Sequence, residues 1–172
     1  MSQQDQGADA TQGRWLVIPR TLCFVFHGDR VLLMKRAPHR RIFPNYYNGL
    51  GGHLERNEDP ASCALREIRE ESGADVTDLR LRGVYNIDTA QNNGIVLYIF
   101  TAQAHTDTLN YSHDEGTLYW VPINEIHQLK LVEDLEIILP KILEMNECTI
   151  PFSAHLSYDT NVRLVMRFFQ EE

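Results

Sequence analysis

The sequence predicts an α/β fold, a mixed β-sheet in an α/β/α sandwich. Short apolar runs bounded by turn residues recur along the chain, as expected for strands. Two other segments place apolar residues at i, i+3, i+4 and i+7, the period of a helix lying on a core. A chain of 172 residues with 43% hydrophobic and 23% charged residues suits one domain that can bury a sizeable core.

The start, MSQQDQGADATQG, is polar and reads as a disordered tail over residues 1–13, with the folded domain spanning 14–172. It has no apolar core of a secretory signal. RTLCFVF and RVLLMKR, joined through HGD with Gly28 at the turn, read as a β-hairpin. APHRRIFPNYYNG, with Pro38, Pro44 and Gly49, is a loop. Asp59 is a good N-cap, Pro60 suits the first helical position and Gly73 is a good stop, so a helix is expected from Pro60 to Ser72. LRLRGVYNI and GIVLYIFTA are two further strands about TAQNNG. HTDTLNYSHDEG is a long polar loop, and TLYWVP a strand closed by Pro122. Leu135, Ile138, Leu139 and Ile142 form a second helical stripe, in which Pro140 predicts a kink or two shorter pieces. IPFSAHLSYDTNVRLVMRFF reads as a last hairpin about DTN.

The first helix raises a physical question. Ala61, Ala64, Leu65 and Ile68 form its expected buried face, and Glu67, Glu70 and Glu71 share an adjacent one at the edge of the core. Like charges at this spacing repel, and they sit near the helix C-terminus, where the macrodipole opposes them. A charge run is often only a solvated face. A hard divalent cation offers another account, because Mg²⁺ takes oxygen ligands and keeps room for water and phosphate oxygens.

The stretch GGHLERNEDPASCALREIREESGADV resembles the Nudix box, the signature of the Nudix hydrolases. Gly52, Glu58, Arg66, Glu67, Ile68, Glu70, Glu71 and Gly73 match its pattern, and Ala74 stands where a larger aliphatic is usual. The resemblance implies a Nudix fold and Mg²⁺-dependent (or Mn²⁺-dependent) hydrolysis of a diphosphate bond, with water attacking phosphorus. Carried over by position, Glu67, Glu70 and Glu71 are the expected metal ligands, joined by the Gly51 carbonyl. Glu71 is the expected base, Arg66 the residue that orients the glutamates, and Glu58 the anchor of the loop. Glu115, in the long polar loop, corresponds to an extra metal-binding or base glutamate.

Outside the box, RTLCFVFHGDRVLLMKR, YNGLGGHLE, DEGTLYWVP and the final hairpin resemble the MutT-like 8-oxo-dGTP diphosphatases, which remove oxidised purine nucleotides. That similarity implies a base pocket lined by Thr21, Asn48 and Asp134, with Glu133 beside it. An amide and a carboxylate can read the edge of a guanine-like base. Leu50 stands where an aromatic can stack, and Leu131 and Val132 replace a tryptophan-containing segment. Lys35, Arg36, Arg40 and Arg41 are candidates for holding phosphates. The resemblance leaves room for ADP-ribose or a dinucleoside polyphosphate as substrate, and for a sensor module that binds a nucleotide without cleaving it.

The partner classes follow from charge. A net charge of -8 argues against binding a nucleic acid polymer, since no basic surplus exists to displace counterions. No apolar run approaches the roughly 20 residues that span a bilayer. Cys23, Cys63 and Cys148 are widely spaced and form no CxxC, consistent with reduced thiols and a cytoplasmic protein. The expected partner is therefore a small nucleotide, and the chain is expected as a monomer or a homodimer.

Overall fold

The structure is a computed structural model that describes residue 7 and residues 13–109 and 114–169. The tail expected over residues 1–13 lies almost entirely outside the described residues, as does the middle of the long polar loop. The elements are β1 (Leu16–His27), β2 (Arg30–Arg36), β3 (Tyr47–Asn48), α1 (Pro60–Ser72), β4 (Val76–Ile87), β5 (Asn93–Ala104), β6 (Gly116–Pro122), a 3₁₀ turn (Ile123–Gln128), α2 (Leu135–Leu143), β7 (Phe152–Tyr158) and β8 (Leu164–Phe168).

The strands form one mixed sheet in the order β3-β2-β1-β5-β4-β7-β8, with β6 paired to β2. β1 lies parallel to β5 and β4 parallel to β7; the other strand pairs are antiparallel. Alternate side chains leave the sheet on opposite faces, and both faces are buried. Leu22, Phe24, Val31, Leu33 and Ile99 pack under α2. Cys23, Val25, Leu32, Met34 and Phe100 pack under α1. This is the expected α/β/α sandwich.

β1 and β2 are paired only near their turn, from Val25–His27 to Arg30–Leu32. Beyond that they diverge, and residues 47–53 fill the fork. Tyr47 and Asn48 pair with β2, while Leu50 and Gly52 bond to β1 at Cys23 and Thr21. Gly49 has no room for a side chain: a Cβ there would lie 2.8 Å from the Cys23 carbonyl oxygen. At Gly51 it would lie 2.3 Å from that of Thr21, and the φ of 132° is one that L side chains rarely adopt. Gly49 and Gly51 are thus required where backbone passes close to backbone.

Two expectations need correction. Leu65 is 45% exposed, although the period placed it inside. The buried arc of α1 is turned toward the glutamates, taking in Cys63, Glu71 and Ser72, because residues 50–53 and Thr21 pack on that side. Of the two outcomes expected at Pro140, a kink or two shorter pieces, the second does not occur. α2 is one nine-residue helix, and both Pro140 and Glu136, whose carbonyl loses its partner, lie on the exposed face where solvent can serve it.

Candidate active site

A cleft of about 910 Å³ runs along the fork and collects residues from both faces of the sheet. α1 forms its acidic end. Asp59 caps the helix through Oδ1, which accepts from the N–H groups of Ala61 and Ser62 at 2.8 and 3.1 Å. Gly73 ends it in the left-handed conformation at φ 68°. These local signals fix where Glu67, Glu70 and Glu71 fall.

Arg66 organises that end. It donates to both Glu58 oxygens, at 3.1 and 2.6 Å, to Glu67 Oε1 at 2.8 Å and to Glu70 Oε2 at 3.1 Å. It also donates to the His53 carbonyl at 3.2 Å. Glu58 in turn accepts from the Glu55 N–H at 2.7 Å, which ties the loop before α1 to the helix. These bonds hold the Glu58 carboxyl down to about 2. Glu67 fills the space that a Cβ on Gly52 would need, 2.3 Å away.

Glu71 is different. It is 9% exposed, and its Oε2 accepts from the Gly51 N–H at 2.8 Å. It forms no ion pair among the described residues. Burial pushes its carboxyl up to about 8, Glu67 and Glu115 add to the rise, and the Gly51 bond and Arg36 oppose it. Burial also raises Glu67, against the pull of Arg66. Glu115 reaches the same cleft and pairs with Arg40 at 3.3 Å.

All donors here are oxygens, which suits Mg²⁺ or Mn²⁺. Among the described residues no three carboxylates are already gathered around one point. Arg66 holds Glu67 and Glu70 to itself, so a cation at Glu71 would have to draw them partly from the guanidinium. Mg²⁺ is accordingly expected to raise Tm by several degrees over the protein in chelator, since it relieves a buried anion. Identical melting in Mg²⁺ and in chelator would reject these residues as a cation site.

The opposite end of the cleft is lined by Leu22, Ile87, Ile95, Leu97, Val132, Leu156, Tyr158 and Leu164 around Asn48 and Asp134. Asp134 precedes α2, but its side chain does not cap that helix. The Tyr85 hydroxyl donates to Oδ2 at 2.6 Å, and Oδ1 is buried with no hydrogen-bond partner among the described residues. Burial raises the Asp134 carboxyl, while the Tyr85 bond lowers it. Asn48 Oδ1 accepts from the Gly49 N–H at 2.9 Å.

The cleft thus brings together Thr21, Asn48, Gly51, Gly52, Arg66, Glu67, Glu70, Glu71, Glu115 and Asp134. Glu58 stands behind Arg66, and Gly73 shapes the helix end. Lys35 is a correction: it does not line the cleft, and its ammonium lies 5.8 Å from the Tyr47 ring centroid. The neighbouring Arg36 lines the cleft instead, because successive strand residues face opposite ways. Leu50 is fully buried in the α1-side core, so it has no place against a ligand. Sequence reasoning missed Arg20, Phe43 and Tyr158 in the cleft and Tyr85 behind it. Arg20, a charge within a largely apolar strand, was the one available signal; it forms no ion pair among the described residues.

Comparison with known proteins gives a consistent result. A family model described as NUDIX domain matches residues 17–142. An uncharacterized Nudix hydrolase of Bacillus subtilis, YvcI, is 29% identical over 115 residues, 64% of this chain and 70% of that protein. The NAD-capped RNA hydrolase NudC of Pseudomonas aeruginosa is 40% identical over 68 residues, but the match spans only 23% of its length. Among solved structures, a MutT protein from Bacillus halodurans superposes with a TM-score of 0.75, covering 91% of this chain and all of that one at 22% identity, a likeness of fold.

Proposed function

The chain belongs to the Nudix hydrolase family, whose members act on phosphorus-containing anhydrides, and from that membership we propose that it hydrolyses a purine nucleoside triphosphate to the monophosphate and diphosphate. The substrate we favour is an oxidised guanine nucleotide such as 8-oxo-dGTP. The observation that carries this reading is the Asp134 Oδ1 atom, buried with no hydrogen-bond partner among the described residues in the cleft that also holds Asn48. A buried acceptor left unsatisfied costs about 1–3 kcal/mol, and an N–H on the edge of a purine would satisfy it. The Tyr85 hydroxyl holds the other oxygen and fixes the direction of the free one.

At the other end a bound Mg²⁺ would neutralise phosphate charge and make water more acidic. Glu67, Glu70, Glu71 and the Gly51 carbonyl would hold it, with Glu115 as a further ligand. Water's oxygen bonds to the phosphorus that carries the nucleoside. The bond from that phosphorus to the bridging oxygen breaks, and the oxygen leaves with the distal phosphates as diphosphate. Water's proton would pass to the ionised Glu71 carboxylate, the form that a cation beside it favours against burial. Arg66 keeps the carboxylates in register.

A release assay with Mg²⁺ on a nucleotide panel tests this. The panel holds 8-oxo-dGTP, dGTP, the other canonical triphosphates, ADP-ribose and a dinucleoside polyphosphate. We expect kcat/KM for the oxidised guanine nucleotide to lead, and Asp134→Ala to erase that lead by about 10–100-fold, since an unpaired polar site discriminates strongly. Turnover of ADP-ribose or the dinucleotide alone would keep the glutamate chemistry and discard this base pocket. Binding without turnover across the panel would favour a sensor module.

A further inference from the structure

The loop between β2 and β3 carries His39, Arg40 and Arg41 just beyond Arg36. It is firmly shaped. Asn45 N–H donates to the Arg36 carbonyl at 3.1 Å, and Arg36 N–H donates to the Tyr46 carbonyl at 2.9 Å. The Arg36 side chain also donates from Nε to the Ile42 carbonyl at 2.9 Å. Ala37 N–H donates to the Glu115 carbonyl at 2.8 Å. Phe43 and Asn45 are held at φ 49° and 65°, in the left-handed region.

The surface of this loop forms a second, open pocket of about 330 Å³, lined by Arg36, His39, Arg40, Arg41 and Ile42. No carboxylate lines it among the described residues. It shares Arg36, Arg40 and Ile42 with the main cleft, so the two spaces adjoin. The chain has 24 acidic residues against 16 basic ones, yet Arg36 and Arg41 form no ion pair among the described residues. Arg40 alone is paired, to Glu115, and that bond faces the cleft. Burial and the nearby Arg40 disfavour charge on Arg36, while Glu115 and Glu71 across the cleft partly oppose them. The crowding mirrors that of the glutamates, with the sign reversed, and guanidinium forks match phosphate oxygens.

We propose that this pocket binds the distal phosphates of the substrate, and the diphosphate that leaves, so that the enzyme prefers nucleoside triphosphates to diphosphates. The proposal rests on the nucleotide reading above only for the identity of the substrate; the anion site stands on the loop itself.

Calorimetry of inorganic diphosphate binding to the full chain, in chelator, separates the two. We expect the wild type to bind and the Arg40→Ala/Arg41→Ala double variant to bind at least tenfold more weakly. Glu71→Gln should bind at least as well as the wild type. Arg41 is exposed and makes no side-chain hydrogen bond or ion pair among the described residues, so Arg41→Glu alone should also weaken binding several-fold. In turnover, the double variant should narrow the triphosphate-over-diphosphate ratio at least tenfold, through KM. Unchanged diphosphate binding in both variants, or an equal loss on triphosphate and diphosphate substrates, would overturn the pocket. Weakened binding in a protein that cleaves no nucleotide of the panel would uphold the pocket and reject the nucleotide reading.

Discussion

Glu71→Gln is expected to lower kcat by at least about a hundredfold, the usual contribution of a positioned acid–base group, and at the same time to make the protein in chelator more stable at pH 8. The stability gain follows from burial. The folded-state Glu71 carboxyl is raised to about 8, above its ordinary value, so the folded protein holds a proton that the unfolded chain has released. Below the ordinary glutamate range both states are protonated and the variant matches the wild type. As pH rises from there through about 8, the wild type loses stability on the order of 2–4 kcal/mol, and the variant, with nothing to ionise, does not. For a chain of this length that difference is about 5–10 °C in Tm. Mg²⁺ should close most of the gap by raising the wild type and leaving the variant where it is. Equal melting of the two proteins in chelator at pH 8 would show that Glu71 is not a buried anion, and retained turnover would remove it from the chemistry.

The second large effect is expected at Arg66. Its guanidinium meets three carboxylates and a backbone carbonyl, a fork that the single ammonium of lysine cannot reproduce. Arg66→Lys should therefore behave more like a loss than a conservative change. We expect Mg²⁺ affinity, followed as the metal-dependent rise in Tm, to fall by about 10–100-fold, the range seen when the residue orienting a metal ligand is removed. kcat/KM at limiting metal should fall in proportion, with partial recovery in excess Mg²⁺. The variant should also resist acid less differently from neutral conditions than the wild type does. Glu58, held at about 2 chiefly by Arg66, contributes stability that is present above the ordinary glutamate range and lost as pH falls toward 2. Removing Arg66 removes that contribution. Wild-type metal affinity in Arg66→Lys would mean that the glutamates are placed by the helix alone.

The residues that sequence reasoning placed well are those whose reasons are local. Asp59, Pro60 and Gly73 fix α1 within themselves, and the box spacing then fixes the glutamates. The second helical stripe followed from period, and the apolar strands from short runs bounded by turn residues. What could not be read depends on partners far along the chain. Tyr85 and Asp134 are 49 residues apart, and nothing near either one announces the bond. The choice between Lys35 and Arg36 depends on which way β2 faces once the fork opens, a matter of register that composition does not encode. Leu65 was assigned inside because the helix period is symmetric about its stripe, whereas the neighbour that decides, the segment at residues 50–53, comes from elsewhere in the chain.

The long parallel pairing of β1 with β5 has a consequence for how the chain reaches its fold. From Leu16–Asn93 to Phe26–Gln103 the two strands are matched almost end to end, while β1 meets its sequence neighbour β2 at only three positions. The centre of the sheet therefore closes only after β5 is made, and β4 must wait in turn for β7. Pairings this distant close large loops before they return any contact, so folding should be slow for the chain's size. During synthesis the apolar half of β1 and the glutamate helix emerge well before the strand that completes them. A nascent chain halted before residue 93 should accordingly remain sensitive to protease throughout, and one extended past β8 should become resistant in a single cooperative step.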